Sequence, residues 1–192
     1  MNELEIIRSQ LAVEQSHAAQ VVNACTAVFE STGAVAAPQE AIALFREACV
    51  SYLVWVLARF EERDQTLSEL LASRQAGNGA AAAGARHLAS LITRSGTSRE
   101  ALSRLESALA AGESPAAPAS WQEFARFFNS AWTARRATLE GALAEHLGIA
   151  DWRAVCAIDA DSILDERNRY ARVVAQAPDG IELQRAPAPH AR

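Results

Sequence analysis

Hydrophobic residues recur along the chain at steps of three and four, and no segment alternates like a strand before the last few residues. This period predicts an all-helical protein. The first helix is predicted from about Glu3 to Glu30, because the following Ser31-Thr32-Gly33 places a glycine at the usual C-cap. A second helix is predicted from near Pro38, since proline is tolerated in a first turn, to just before Gly77.

The next two helices are predicted on either side of a linker. The third carries its hydrophobic positions from Leu88 to Leu109, and Ser95–Ser98 is the point where it would break or bend. The proline-rich stretch Gly112–Ser120 has the composition of a linker. Ser120 with Glu123 forms a capping box, which predicts that helix four begins there.

The C-terminal part predicts a short helical turn from Asp151 and a fifth helix from Asp161 to just before Pro178. Four long amphipathic helices joined by moderate linkers most simply form an antiparallel four-helix bundle of the up-down type. The predicted organisation is all-α, with a four-helix bundle at 1–147, a helical extension packing on it at 148–180 and a flexible tail at 181–192.

Composition narrows the class of protein. The chain has 192 residues, of which 50% are hydrophobic, and this length suits a single globular domain. The net charge of −5 and the absence of a basic stripe argue against binding to nucleic acid or to an anionic membrane. The acidic start of the chain predicts a cytoplasmic protein. Its three cysteines, without CxxC spacing, are predicted to be buried free thiols.

The second and fourth helices carry a similar pattern. The sequence from Arg63 to Leu71 matches that from Arg135 to Leu143, with an arginine, a threonine and two leucines at the same spacing. A duplicated helix pair would relate the two helices by a pseudo-twofold axis and place Arg63 and Arg135 at equivalent depth. Chance similarity between amphipathic, alanine-rich helices is the alternative.

One histidine in the first helix, His17, and one in the third, His87, each precede a run of apolar and small residues. Over roughly residues 1–147 the chain resembles the hemerythrin-like (HHE cation-binding) family of four-helix bundles. The resemblance implies two non-haem irons held by histidines of the first and third helices and by histidine and carboxylate pairs of the second and fourth. According to this resemblance, the candidate metal ligands are His17, His87, Asp64 and Glu140.

Arginines stand where the resemblance implies further histidines. The second helix has 59–64 (Arg-Phe-Glu-Glu-Arg-Asp), and the fourth has 131–136 (Ala-Trp-Thr-Ala-Arg-Arg), neither with a histidine. Arginine offers no lone pair to a metal, and its charge would repel a dication. Since Phe60 and Leu67 mark the core side of the second helix, Arg63 lies near the core.

Three interpretations of these arginines follow. They extend to solvent along the core, they form a buried polar layer of Glu14, Arg63 and Arg135, or they border a remaining metal site. Such a charged layer can fix the register of the helices relative to one another.

The ligand count favours a bundle that has lost the di-iron site, holds no cofactor and acts as a regulatory or interaction module. The alternative is a non-haem iron protein that uses His17 and His87 in a response to oxygen or iron. The sequence has no phosphate loop, no Gly-x-Ser-x-Gly elbow and no HExxH, so no catalytic residue is assigned and enzymatic activity is not expected. The identity of a protein partner or small ligand and the oligomeric state stay open.

Overall fold

A computed structural model describes residues 3–30, 37–73, 79–111, 117–140, 148–156 and 160–183. Within its helices, the side chains of 71, 79–85, 87, 88, 91, 94, 95, 110 and 131–140 lie outside the description. The described residues form six helices and no strand: α1 (Glu3–Glu30), α2 (Gln39–Ser73), α3 (Gly79–Ala110), α4 (Ala117–Glu140), α5 (Ile149–Cys156) and α6 (Ala160–Gln176). The prediction of an all-α protein is confirmed.

The helix ends follow local signals in most places. α1 has the predicted bounds, and α2 begins one residue after Pro38, whose carbonyl accepts a hydrogen bond from the amide of Ile42 (3.1 Å). At the start of α5, the Asp151 carboxylate accepts a bond from the amide of Gly148 (2.8 Å). Such caps satisfy backbone groups that a helix end leaves without a partner.

The predicted break in α3 and the predicted start of α4 are wrong. α3 continues through Ser95–Ser98, and the hydroxyls of Thr93 and Thr97 bond the carbonyls four residues earlier (3.0 and 3.3 Å). Bonds of this kind leave a helix continuous and often bend it, so the bend stays a prediction. α4 begins at Ala117, three residues before the predicted capping box. Pro118 therefore lies in the first turn, where its missing amide costs nothing.

From α1 to α4 each helix packs against the next one in sequence, and α4 also packs against α1. Buried side chains from α1, α2, the second half of α3, the first half of α4 and α6 form one hydrophobic core. Its largest fully buried members are Trp121, Tyr52, Tyr170, Phe45, Phe124, Leu53, Leu102 and Leu105.

Aromatic side chains join the end of α1 to the start of α4. The rings of Phe29 and Trp121 stack with centroids 5.2 Å apart, and the indole of Trp121 donates to the hydroxyl of Thr26 (3.0 Å). The guanidinium of Arg46, in α2, lies 4.4 Å from the Phe29 ring centroid. This end of the protein is therefore closed by side chains of three helices.

The two C-terminal helices both pack on α1 and α2. After α6, the amide of Ile181 bonds the carbonyl of Pro178 (3.1 Å), and Gly180 has a φ of 87° that favours glycine. This turn returns the chain to the core, on which Ile181 and Leu183 pack. The rest of the predicted tail, from residue 184, lies outside the described residues.

The thiols of Cys25, Cys49 and Cys156 are buried and form no disulfide, as predicted. Burial raises the pKa of Cys49 well above its usual value, and the neighbouring Cys25 adds to the rise. By length and composition, the part of α2 over Gln39–Leu70 is long and apolar enough to cross a membrane. It packs against α1, α3, α5 and α6, and the core helix of a soluble protein meets the same criterion.

Replacing Leu53 by alanine should lower the free energy of unfolding by about 2–5 kcal/mol, because the fully buried side chain leaves a cavity in the core. Val54, the next residue, is 39% exposed, and its replacement by alanine is the matched control, expected to change stability by no more than about 0.5 kcal/mol. Urea unfolding followed by circular dichroism measures both. Equal losses for the two variants would contradict this packing of α2.

Candidate functional site: a buried polar cluster

Six polar side chains are buried together where α1 and α2 meet the C-terminal helices. We call them the polar cluster: Glu14, His17, Tyr52, Arg63, Glu166 and Tyr170. Each is 5% exposed or less, and both glutamates are fully buried. Charges buried this deeply must be paired, because removal from water costs several kcal/mol per ion.

Arg63 links α1, α2 and α5. Its guanidinium donates to both carboxylate oxygens of Glu14, at 2.5 and 3.2 Å. Its Nε donates to the carbonyl of Cys156 (3.1 Å), the last residue of α5. That carbonyl has no partner within its own helix, so Arg63 caps α5 with a positive charge where the helix dipole favours one.

Glu166 links α6 to the first two helices. One of its oxygens accepts hydrogen bonds from His17 Nδ1 (2.8 Å) and from the hydroxyl of Tyr52 (2.9 Å). Since an ionised carboxylate only accepts, Nδ1 carries the proton in this arrangement. The other oxygen, Oε2, is buried without a hydrogen-bond partner among the described residues.

Tyr170 covers the histidine. Its ring is stacked on that of His17 with centroids 3.6 Å apart and planes within 5°. Its hydroxyl donates to the Gln20 amide oxygen (3.0 Å), and its ring meets Tyr52 edge-on with centroids 5.9 Å apart. These contacts fix the orientation of the imidazole on both its polar edge and its face.

Burial and the nearby carboxylate keep both phenols protonated. Burial raises the pKa of Tyr52 far above its usual value, and the charge of Glu166 raises it further. The same two causes raise the pKa of Tyr170 to about 12. Near neutral pH both hydroxyls are therefore hydrogen-bond donors, as the geometry requires.

A cationic edge borders the cluster. The guanidiniums of Arg59 and Arg169 each lie close to the Trp55 ring, at 5.0 and 5.2 Å from its centroid. Arg59 also lies 3.7 Å from a Glu14 oxygen, and its side chain is 20% exposed. Arg169 pairs with Asp165 one turn away (3.0 Å). Trp55 thus separates the polar cluster from the surface.

The structure describes the side chains of only some of the sequence-predicted site residues. Glu14 and Arg63 are in direct contact, His17 lies one turn along α1 from Glu14, and Asp64 is 2% exposed. The side chains of His87, Arg135 and Glu140 lie outside the described residues, so their place in a site, and the pseudo-twofold repeat, stay predictions. The structure therefore describes only the α1 and α2 part of the predicted layer.

Sequence reasoning missed Tyr52, Glu166 and Tyr170. A signal for Glu166 does exist, because the inward side of α6 is formed by residues 163, 166, 170, 173 and 177, and the glutamate interrupts this otherwise non-ionic series. A carboxylate at a core position needs a buried partner. That partner, His17, is 149 residues away in the chain, and no local pattern identifies it.

The described residues do not fit a di-iron centre. Such a centre needs several imidazole and carboxylate ligands around each ion. In the described part of the chain, no three histidine, cysteine, aspartate or glutamate side chains are grouped to hold a metal. Both oxygens of Glu14 accept from Arg63, whose charge would oppose a cation at that point.

Comparison of the chain with protein-family models, with curated proteins and with solved structures gives no match. The class of the protein therefore follows from its fold and its polar cluster alone. It is an all-helical protein whose two C-terminal helices are joined to α1 and α2 through buried charges.

Replacing Arg63 by methionine should lower the free energy of unfolding by about 3–5 kcal/mol, because it removes the bidentate partner of the buried Glu14 carboxylate and leaves only Arg59, 3.7 Å from one of its oxygens. The double variant with Glu14→Met removes both charges and should be more stable than the single variant. Chemical denaturation of the two variants and the wild type measures this difference.

The control for this comparison is the surface pair of Arg104 and Glu123 (3.0 Å), whose side chains are 52% and 38% exposed. Arg104→Met should cost no more than about 1 kcal/mol, because an exposed pair is screened by water. A similar loss of stability in Arg63→Met and in Arg104→Met would refute the buried pairing. A double variant less stable than Arg63→Met alone would refute it as well.

Alkaline titration tests the burial of the phenols, since the chain has only two tyrosines. The folded protein should show no tyrosinate absorbance at 295 nm near pH 10, and Tyr52→Phe should leave one transition at about pH 12. The unfolded chain ionises near pH 10 while the folded chain keeps its protons, so stability should fall as the pH rises above about 10. A normal titration in the folded state would disprove the assignment.

Proposed function

We propose that this protein is a metal-free helical bundle of hemerythrin-like architecture that acts as a regulatory or interaction module. The observation that carries the proposal is the position of Arg63, whose guanidinium is held between the Glu14 carboxylate and the carbonyl of Cys156. The positive charge of Arg63 thus lies beside a buried carboxylate of the proposed bundle. The end of α5 supplies the acceptor for its remaining hydrogen bond.

Helix contacts support the finer architecture, an antiparallel four-helix bundle built from α1 to α4. The start of α4 meets the end of α1 through Trp121 and Phe29. Arg104, near the end of α3, pairs with Glu123, near the start of α4. Such contacts are typical of helices that run in opposite directions and follow one another around a common core.

The alternative is a non-haem iron protein that uses His17 and His87 in a response to oxygen or iron. One feature favours it. Glu166 binds Nδ1 of His17, and metal-binding histidines are commonly oriented by a carboxylate on the nitrogen that does not bind the metal. Against it, the described residues offer too few further ligands.

We also propose that the protein is soluble and cytoplasmic. Its three cysteines are buried and form no disulfide, which is common in proteins of reducing compartments. The apolar residues of α2 contribute to a core shared with α1, α3, α4 and α6, which explains their number without a membrane.

Elemental analysis of protein expressed in iron-replete medium tests the proposal. We expect substoichiometric metal that does not change in His17→Gln or His87→Ala, because neither histidine holds an ion. The His17→Gln variant keeps a donor for Glu166, so that the measurement is made on folded protein. Circular dichroism of each variant provides the control for folding.

About two irons per chain, lost in both histidine variants, would refute the metal-free bundle and establish the iron protein. An absorption spectrum recorded on the same samples separates a bound iron centre from adventitious metal, since only the centre gives charge-transfer bands that disappear with its ligands.

A further inference from the structure

A groove of about 710 Å³ lies between α1 and the chain that follows α6. Ser16 and Gln20 line it on the side of α1, and Val174 with residues 177–183 lines it on the other. The amide of Gln20 donates to the hydroxyl of Ser16 (3.1 Å) and accepts from Tyr170 (3.0 Å). The α1 wall is therefore held in place before any ligand binds.

The chemistry of the groove combines apolar and acidic surface. Val174, Ala177, Ile181 and Leu183 are partly buried against the core and leave the rest of their apolar surface toward the groove. Among the described residues that line it, the only charged ones are the exposed Asp179 and Glu182. A matching ligand is an extended segment with small apolar side chains and positive charge.

The chain itself carries a segment of this chemistry. Residues 184–192 read Gln-Arg-Ala-Pro-Ala-Pro-His-Ala-Arg, with two arginines, one histidine and no acidic residue in a protein of net charge −5. Alternating proline and alanine favour the extended polyproline conformation, which loses little entropy on binding. At roughly 3.1 Å per residue, the segment is long enough to turn back along the groove.

We propose that residues 184–192 bind in this groove as an intramolecular ligand, with Arg185 and Arg192 paired to Asp179 and Glu182. The proposal rests on the assignment of the protein as an interaction module and gives that module a docking surface with a built-in competitor. A partner segment of the same basic, proline-containing chemistry must then displace residues 184–192.

Weak contacts are enough for residues 184–192 to occupy the groove, because this segment is covalently attached beside it. The segment begins at the residue after Leu183, which itself lines the groove, so its effective concentration there is in the millimolar range. If the free segment binds with a Kd of about 0.1 mM, the tethered one fills the groove in roughly nine molecules of ten. An added peptide then binds the intact chain about tenfold more weakly than a chain whose own segment is released.

The experiment uses a fluorescein-labelled peptide of residues 184–192 and the full chain. Fluorescence anisotropy should show about tenfold tighter peptide binding to Arg185→Ala/Arg192→Ala than to the wild type. Adding Asp179→Asn/Glu182→Gln to that variant should abolish binding, and Glu106→Gln, an exposed carboxylate on α3, is the matched control that should not change it.

A charge exchange gives a second test that does not depend on loss of binding. A chain with Asp179→Arg/Glu182→Arg should bind a peptide in which both arginines are replaced by glutamate, and should not bind the original peptide. High salt should weaken both matched complexes, because the ion pairs lie at the surface.

Three outcomes would overturn the proposal: no peptide binding to any chain, equal binding to the wild type and to Arg185→Ala/Arg192→Ala, or wild-type dimers that dissociate when these arginines are replaced. The last would place the segment in the groove of a second copy. None of these measurements depends on metal content, so failure here leaves the metal-free bundle to be judged by elemental analysis alone.

Discussion

The burial of the Glu14 carboxylate is the constraint on which the rest of the structure depends. A fully buried anion destabilises a protein unless a cation and hydrogen bonds replace the water it has lost. The planar fork of Arg63 supplies two parallel bonds, and its remaining Nε needs an acceptor of its own. The end of α5 provides that acceptor at Cys156, so a single charge in α1 dictates where a helix more than 130 residues later must end.

A second constraint acts one turn further along α1 and accounts for α6. Glu14 and His17 lie on the same side of α1. Glu14 pairs with Arg63 of α2, which also bonds the end of α5, and His17 bonds Glu166 of α6. Because Glu166 accepts from both His17 and Tyr52, α6 is held against two helices by one carboxylate. The region from 148 to 180, expected as an extension packed on a bundle, thus completes the hydrogen bonding of the interior. α6 contributes to the same hydrophobic core as α1 and α2, and α5 packs on both of these helices.

These relations explain how much the sequence could predict. Hydrophobic periodicity and capping residues are local properties, so the number of helices and most of their bounds follow from the sequence. The boundary at Ser120 failed because a capping box is a weaker signal than a proline tolerated in the first turn at Pro118. The inward position of Arg63 followed from helical phase. Its acceptor at Cys156 and the partnership of Glu166 with His17 depend on tertiary contacts across 93 and 149 residues, which a single sequence does not encode in any local pattern.

The polar cluster also selects one register for α1 against α2. A buried pair contributes little net stability compared with apolar residues of similar volume, yet it penalises every arrangement in which its charges separate. The residues one turn before and after Glu14 on the same side of α1 are Gln10 and Ala18, and neither carries a negative charge. Sliding α1 by one turn would therefore place Arg63 opposite an amide or a methyl group and break its two parallel hydrogen bonds to Glu14. The apolar side chains around it, chiefly alanine, valine and leucine, would tolerate such a slip much better than the ion pair does. The arginine that disfavours a metal is thus the residue that gives this alanine-rich interior a unique arrangement.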